Sequence, residues 1–200
     1  MKKNAEKDNL RQKIMDAAWE LFYEKGYENT TVNDIIKRAG TSKGGFYYYF
    51  KAKDELLNSL YSIFDREYEK FYATMDKSLN CLLQLQLLGQ YVSFFIEGNV
   101  SPEFLSAVYK SQLSSQTQEN YLSPDRYYIK LVKKIIAEGQ ERGEIRDDIS
   151  IDVLAHHVLV IERGIFIDWC VQAGSFSLGY FGAQSFEFYS EFLKPQNKSS

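Results

Sequence analysis

Between residues 31 and 53 the chain reads TVNDIIKRAGTSKGGFYYYFKAK, and the order of caps and stops in it leaves few folds open. Thr31 with Asp34 three residues on has the spacing of a capping box, in which a hydroxyl and a carboxylate satisfy the orphan N–H groups of a helix start. Val32, Ile35, Ile36 and Ala39 give the segment one short apolar face, and Gly40 stops it. Thr41 and Ser42 offer the next cap after a single-residue break, and a further helix runs to about Phe50. Two short helices joined by a tight glycine-containing turn form a helix-turn-helix.

The flanking sequence extends this reading. Leu10, Ile14, Ala17, Ala18, Leu21 and Phe22 recur at helical spacing up to Gly26, with Trp19 on the opposite side. The acids of DELL, from Asp54, suit the first turn of a fourth helix, which carries Leu56, Leu57, Leu60, Ile63, Phe64, Tyr68, Phe71 and Met75. Further helices are expected near 78–97, 101–115, 125–142, 151–173 and 178–193, separated by breakers such as EGNVSP and ERGEIRDDIS. No stretch keeps two-residue alternation. The expected fold is all-α: an N-terminal three-helix helix-turn-helix domain over 1–53, joined to a C-terminal helical bundle over 54–200.

Charge divides at the same place. Residues 1–53 carry 11 Lys/Arg against 7 Asp/Glu, and residues 54–200 carry 13 against 20. A basic head on an acidic body is the distribution of a nucleic-acid-binding domain fused to one that does not bind. No apolar run reaches the length of a membrane span, and the first residues lack the apolar core of a secretory signal. Cys81 and Cys170 have neither the number nor the spacing of a disulfide framework or a zinc site, as in a reducing cytoplasm. No nucleophile–base pair, metal cluster or phosphate loop is evident, so no reaction, metal or cofactor is expected.

The five consecutive rings, Phe46 to Phe50, sort by helical phase. Phe46 and Phe50 share a face with the apolar stripe of the preceding helix and anchor the core. Tyr47 and Tyr48 turn outward, with hydroxyls for phosphate oxygens and rings for thymine methyls. Tyr49 lies between the two sides, and Lys43 is a long donor at the helix start. Gly44 and Gly45 each cost about 1 kcal/mol in helix propensity, which close backbone approach to DNA would justify.

TTVNDIIKRAGTSKGGFYYYFKAKDELL, preceded by IMDAAWELFYEKGYEN, resembles the N-terminal domain of the TetR/AcrR family of bacterial transcriptional regulators over residues 10–60. The resemblance implies DNA contacts from Thr31, Ser42, Lys43, Gly44, Tyr47, Tyr48, Tyr49 and Lys53. It also implies a cytoplasmic homodimer, a near-palindromic double-stranded operator, and a small-molecule effector that releases a repressor. Thr41, Gly45 and Tyr49 depart from the family's usual residues, and Gly45 brings no side chain to a base.

In the body, the adjacent His156 and His157 point about 100° apart on a helix and cannot chelate one ion together, which leaves a core or interface role. Glu162 and Asp168 are acids in an otherwise apolar helix; a solvated face or a bridge to Arg163 is the favoured reading, a seat for a cationic ligand the sharper one. Tyr91, Phe94, Tyr127, Phe166 and Trp169, with Glu162, are the expected lining of an effector pocket. Phe181, Phe188 and Phe192, beside the small Gly182, Ala183 and Ser185 that allow close helix approach, are the expected two-fold interface, with packing within the monomer as the alternative. The alternative to a regulator is a helical enzyme or lipid-handling module that uses the body's pocket.

Overall fold

Side chains satisfy the backbone at most helix starts, and left-handed glycines end several helices. In the computed structural model, which describes residues 2–114, 123 and 125–196, nine α-helices are present among the described residues. They are α1 (Lys2–Lys25), α2 (Val32–Ala39), α3 (Lys43–Tyr49), α4 (Asp54–Thr74), α5 (Cys81–Asn99), α6 (Pro102–Ser114), α7 (Tyr127–Glu141), α8 (Ile151–Val171) and α9 (Leu178–Leu193). Thr31 and Asp34 form the full capping box of α2, and Gly40 ends that helix at φ 63° with its N–H on the carbonyls of Ile36 and Lys37. Ser42 caps α3 by accepting from the Gly45 N–H, and Ser150 and Ser177 do the same for α8 and α9.

The head packs α1, α2 and α3 around Ile14, Ile35 and Phe46, all fully buried. The body is centred on α7, whose Tyr128, Ile135 and Ile136 are buried among α4, α5 and α8. One apolar cluster runs without a break from Ile14 to Leu193, so head and body share a core. Phe104 of α6 is the main seam: its ring lies 5.4 Å from Trp19, 5.5 Å from Phe22 and 6.2 Å from Tyr27. Phe64 of α4 adds an edge-on contact with Trp19 at 6.2 Å. The expected partition at 53/54 falls at the start of α4, which serves both halves.

The small residues of the last helix pack within the chain, the alternative reading of that segment. α9 lies close along α5 because three glycines leave room: a Cβ on Gly89 would sit 2.4 Å from the Phe186 ring, on Gly179 2.2 Å from the Phe94 ring, and on Gly182 2.1 Å from Ser93 Oγ. Gly182 therefore serves packing within the chain and not a second copy. The phenyl groups of Phe181, Phe188 and Phe192 lie exposed instead.

Candidate nucleic-acid interface and a cavity in the body

The two buried rings of α3 fix which residues it shows to solvent. With Phe46 and Phe50 in the core, the exposed edge carries Ser42, Lys43, Gly44, Tyr47 and Tyr48, the last 65% exposed. Tyr49 is half-buried, with its ring edge-on to Tyr48 at 4.8 Å. Thr31 lies exposed at the start of α2, its hydroxyl 2.7 Å from Asp34 Oδ2. Lys25 donates to the same oxygen at 2.7 Å, and these bonds hold the Asp34 carboxyl well below the usual carboxylate range. Arg38 is paired with Glu20 at 3.0 Å and Glu24 at 2.6 Å.

Two placements refine the sequence reading. A Cβ on Gly45 would lie 2.5 Å from Thr41 Oγ1, so a side chain there would have to push that hydroxyl aside, whereas a Cβ on Gly44 would meet only Ser42 Oγ, at 3.9 Å. Lys53 does not extend from the face. Its Nζ donates to the Tyr27 carbonyl at 2.8 Å and lies 3.9 Å from the Tyr27 ring centre, while the Tyr27 hydroxyl donates to Asp54. The start of α4 is thereby tied to the loop after α1.

A separate cavity lies inside the body, with room for about one water molecule at about 20 Å³. Glu162 and Phe166 of α8 line it, together with Tyr61, Phe64 and Tyr68 of α4. Ile96, Leu105, Tyr109, Arg126 and Tyr128 complete the wall. The Tyr128 hydroxyl donates to Glu162 Oε2 at 2.5 Å, and burial pushes the Glu162 carboxyl up to about 7. Arg126 reaches Asp65 through two hydrogen bonds, of 2.6 and 3.3 Å, and lies 4.7 Å from the Tyr61 ring centre.

Of the six residues expected to line a pocket, Glu162 and Phe166 do so. Tyr91 stacks on Phe71 at 4.0 Å, away from the cavity. Phe94 fills the α5–α9 seam over Gly179 and meets Tyr180 edge-on. Tyr127 is half-buried beside the site, its N–H on Asp65, and Trp169 donates to the Phe176 carbonyl to close the α8–α9 turn. Phe64 and Tyr68 are on the apolar stripe read for the fourth helix, but a stripe does not say which rings border a void. Tyr109 and Tyr128 belong to the same set of body aromatics, from which nothing in the sequence picks the lining, and Arg126 gave no signal at all.

The two acids of α8 part company. Asp168 is exposed and accepts from Gln172 at 2.9 Å, as a solvated face requires. Glu162 is 3% exposed, which contradicts the solvated-face reading for it. Six residues apart, the two fall on different sides of the helix.

The opposite side of α8 and α9 presents Val153, Val160, Ile167, Phe181, Phe188 and Phe192 to solvent, with Phe188 76% exposed. His156 and His157 are exposed there, and His157 borders a shallow groove with Ile161, Phe188 and Phe192. Among the described residues no group of His, Cys, Asp and Glu is placed to hold a metal ion, and no helix is long and apolar enough to cross a membrane.

The sequence profile described as bacterial regulatory proteins, tetR family, matches residues 14–60. The chain is 25% identical to the HTH-type transcriptional repressor DhaR of Mycobacterium sp. (strain GP1), over 89% of this chain and 91% of that protein. It is 29% identical to the HTH-type transcriptional regulator QacR of Staphylococcus aureus, over 68% of this chain and 73% of that protein. Thermus thermophilus FadR, a transcriptional repressor solved with lauroyl-CoA, superposes with a TM-score of 0.74 at 18% identity, covering 95% of this chain and 98% of that one.

Proposed function

We propose that this chain, which belongs to the TetR family of bacterial transcriptional regulators, is a cytoplasmic homodimeric repressor that a small molecule releases from its operator. The observation that carries the reading is the exposed edge of α3, Ser42 to Tyr48, held on the buried anchors Phe46 and Phe50. In this arrangement α3 enters the major groove by its N-terminus, where Lys43 and the capped Ser42 end lead. Tyr47 and Tyr48 reach phosphates or base edges, and Thr31 meets the backbone from α2. Tyr49 is placed to steady the C-terminal end of α3. Lys53, tied to Tyr27, contributes charge from below the face. The chain is assigned no reaction.

The effector site in this reading is the body cavity, and FadR, which shares the fold, is solved with lauroyl-CoA, so a chain of this fold can hold a ligand. Its walls reach the head by two routes. Phe64 borders the cavity and touches Trp19; Leu105 and Tyr109 border it on α6, whose Phe104 rests on Trp19, Phe22 and Tyr27. Tyr27 in turn holds Asp54 and Lys53 at the start of α4. A ligand that spreads α4 and α6 therefore moves the head, and with it the separation of two recognition helices in a dimer. Couplings of this kind are typically about 1–3 kcal/mol, roughly 5–150-fold in affinity.

An electrophoretic mobility assay on the DNA upstream of the chain's own gene tests the reading. A shift that survives excess unrelated DNA is expected. Equal retardation of unrelated DNA would reduce the head to a nonspecific basic patch.

A further inference from the structure

Where the last turns of α1 meet the corner between α5 and α6 lies a second recess, of about 210 Å³ and open on one side. The body cavity has room for about one water, whereas this one exceeds the roughly 150 Å³ of an apolar cavity that takes benzene. Its inner part is buried and apolar: the rings of Phe22 and Phe104, 5.5 Å apart, and Val100. Trp19 adds a third ring, edge-on to Phe104 at 5.4 Å. The rim is exposed and carries Tyr23, Asn99 and Ser101. Trp19, Phe22 and Tyr23 are three and four residues apart, so α1 presents all three on one face.

The fold leaves the rim groups with capacity to spare. Tyr23 is 74% exposed and makes no hydrogen bond, ion pair or ring contact among the described residues. Asn99 donates its amide N–H to the Phe95 carbonyl at 2.8 Å, which leaves Oδ1 as an acceptor. Ser101 accepts the Phe104 N–H on Oγ at 3.2 Å, which leaves its proton to donate. The lining side chains carry no charge, so an ion in the recess would lose hydration with nothing to pair it.

We infer that this recess is a second small-molecule site, for a neutral aromatic of one or two fused rings that bears a hydroxyl. The rings lie against Phe22 and Phe104 beside Tyr23, and the hydroxyl gives its proton to Asn99 and accepts that of Ser101. An apolar interior with a few convergent polar groups at its mouth is the usual composition of a small-molecule site. One wall belongs to the head and the other to the body, so the ligand bridges the two at the Phe104 contact. The site goes beyond the proposed repressor and does not depend on what the body cavity takes.

The probe is 2-naphthol, titrated calorimetrically into the full chain at about pH 7, where a phenol is neutral and a carboxylate ionised. Its comparators are naphthalene, which lacks the hydroxyl, saturated 2-decalol, and anionic 2-naphthoate. 2-Naphthol is expected to bind roughly 2–10-fold tighter than naphthalene or 2-decalol, with 2-naphthoate the weakest. Tyr23→Ala and Asn99→Leu change exposed residues, so each should keep the melting temperature and weaken 2-naphthol roughly 2–10-fold. Asn99→Leu should also narrow the margin over naphthalene, and Glu162→Gln in the body cavity should change nothing. Amide exchange should slow on both sides of the recess, at the end of α1 and the start of α6. No binding of 2-naphthol, 2-naphthoate binding as tightly, or indifference to both rim variants would overturn the inference. So would loss of binding in Glu162→Gln, or slowed exchange confined to one side. A mobility assay run alongside separates the two ideas: no operator shift with 2-naphthol binding intact would sink the repressor and leave this site standing.

Discussion

Lys43 and Tyr47 on one side of α3 and Phe46 on the other show how much a single position decides. Lys43→Ala and Tyr47→Phe remove groups that face solvent, so operator affinity should fall while the melting temperature stays within about a degree or two. Phe46→Ala empties a fully buried site in the head and should cost roughly 3–5 kcal/mol in urea denaturation. Equal operator affinity in both surface variants would mean that another face reads the DNA. Glu162 titrates differently. Its folded carboxyl sits at about 7 against an ordinary 4.5, so the folded state holds the proton more tightly. The stability it contributes is full below about 4.5 and is lost as pH rises through about 7, on the order of 1–3 kcal/mol. The difference between wild type and Glu162→Gln across that window isolates it, and a flat difference would contradict the burial argument. The capping residues and the inward and outward rings of α3 were legible in the sequence because local rules govern them. The burial of Glu162 was not, since an acid on an apolar helix carries no mark of which neighbours will close over it.

Among the elements, α4 and α9 show where local pattern stops being enough. The apolar stripe of α4 was plain, but whether Phe64 and Tyr68 filled a core or bordered a void depended on how far α6 and α8 approach. The small residues of α9 announced close packing without naming the partner, and the partner of Gly182 proved to be Ser93 of α5. Gly182→Val should force α5 and α9 apart and cost about 1–3 kcal/mol in denaturant unfolding. Gly98→Ala on the same α5 meets nothing within 4 Å and should stabilise by up to about 1 kcal/mol. Equal effects of the two would mean that the α5–α9 seam yields easily. Trp19, between Phe64 and Phe104, should report movement of α4 or α6 as a change in fluorescence when the cavity is filled.

At the scale of the whole molecule, the exposed apolar face of α8 and α9 is where the proposed homodimer would form, a second copy related by a two-fold axis covering it with the same face. Phe188→Glu with Phe192→Glu should shift gel filtration to the monomer and weaken operator binding, because two linked heads gain affinity that one lacks. A dimer of this kind places its recognition helices at half-sites about one helical turn or more apart. Footprinting on the DNA upstream of the chain's own gene measures reading head and symmetry together. The account predicts one near-palindromic protected stretch, both halves of which lose protection at matched protein concentration in Lys43→Ala and in Phe188→Glu with Phe192→Glu. A single asymmetric half-site, protected equally by wild type and both variants, would contradict it.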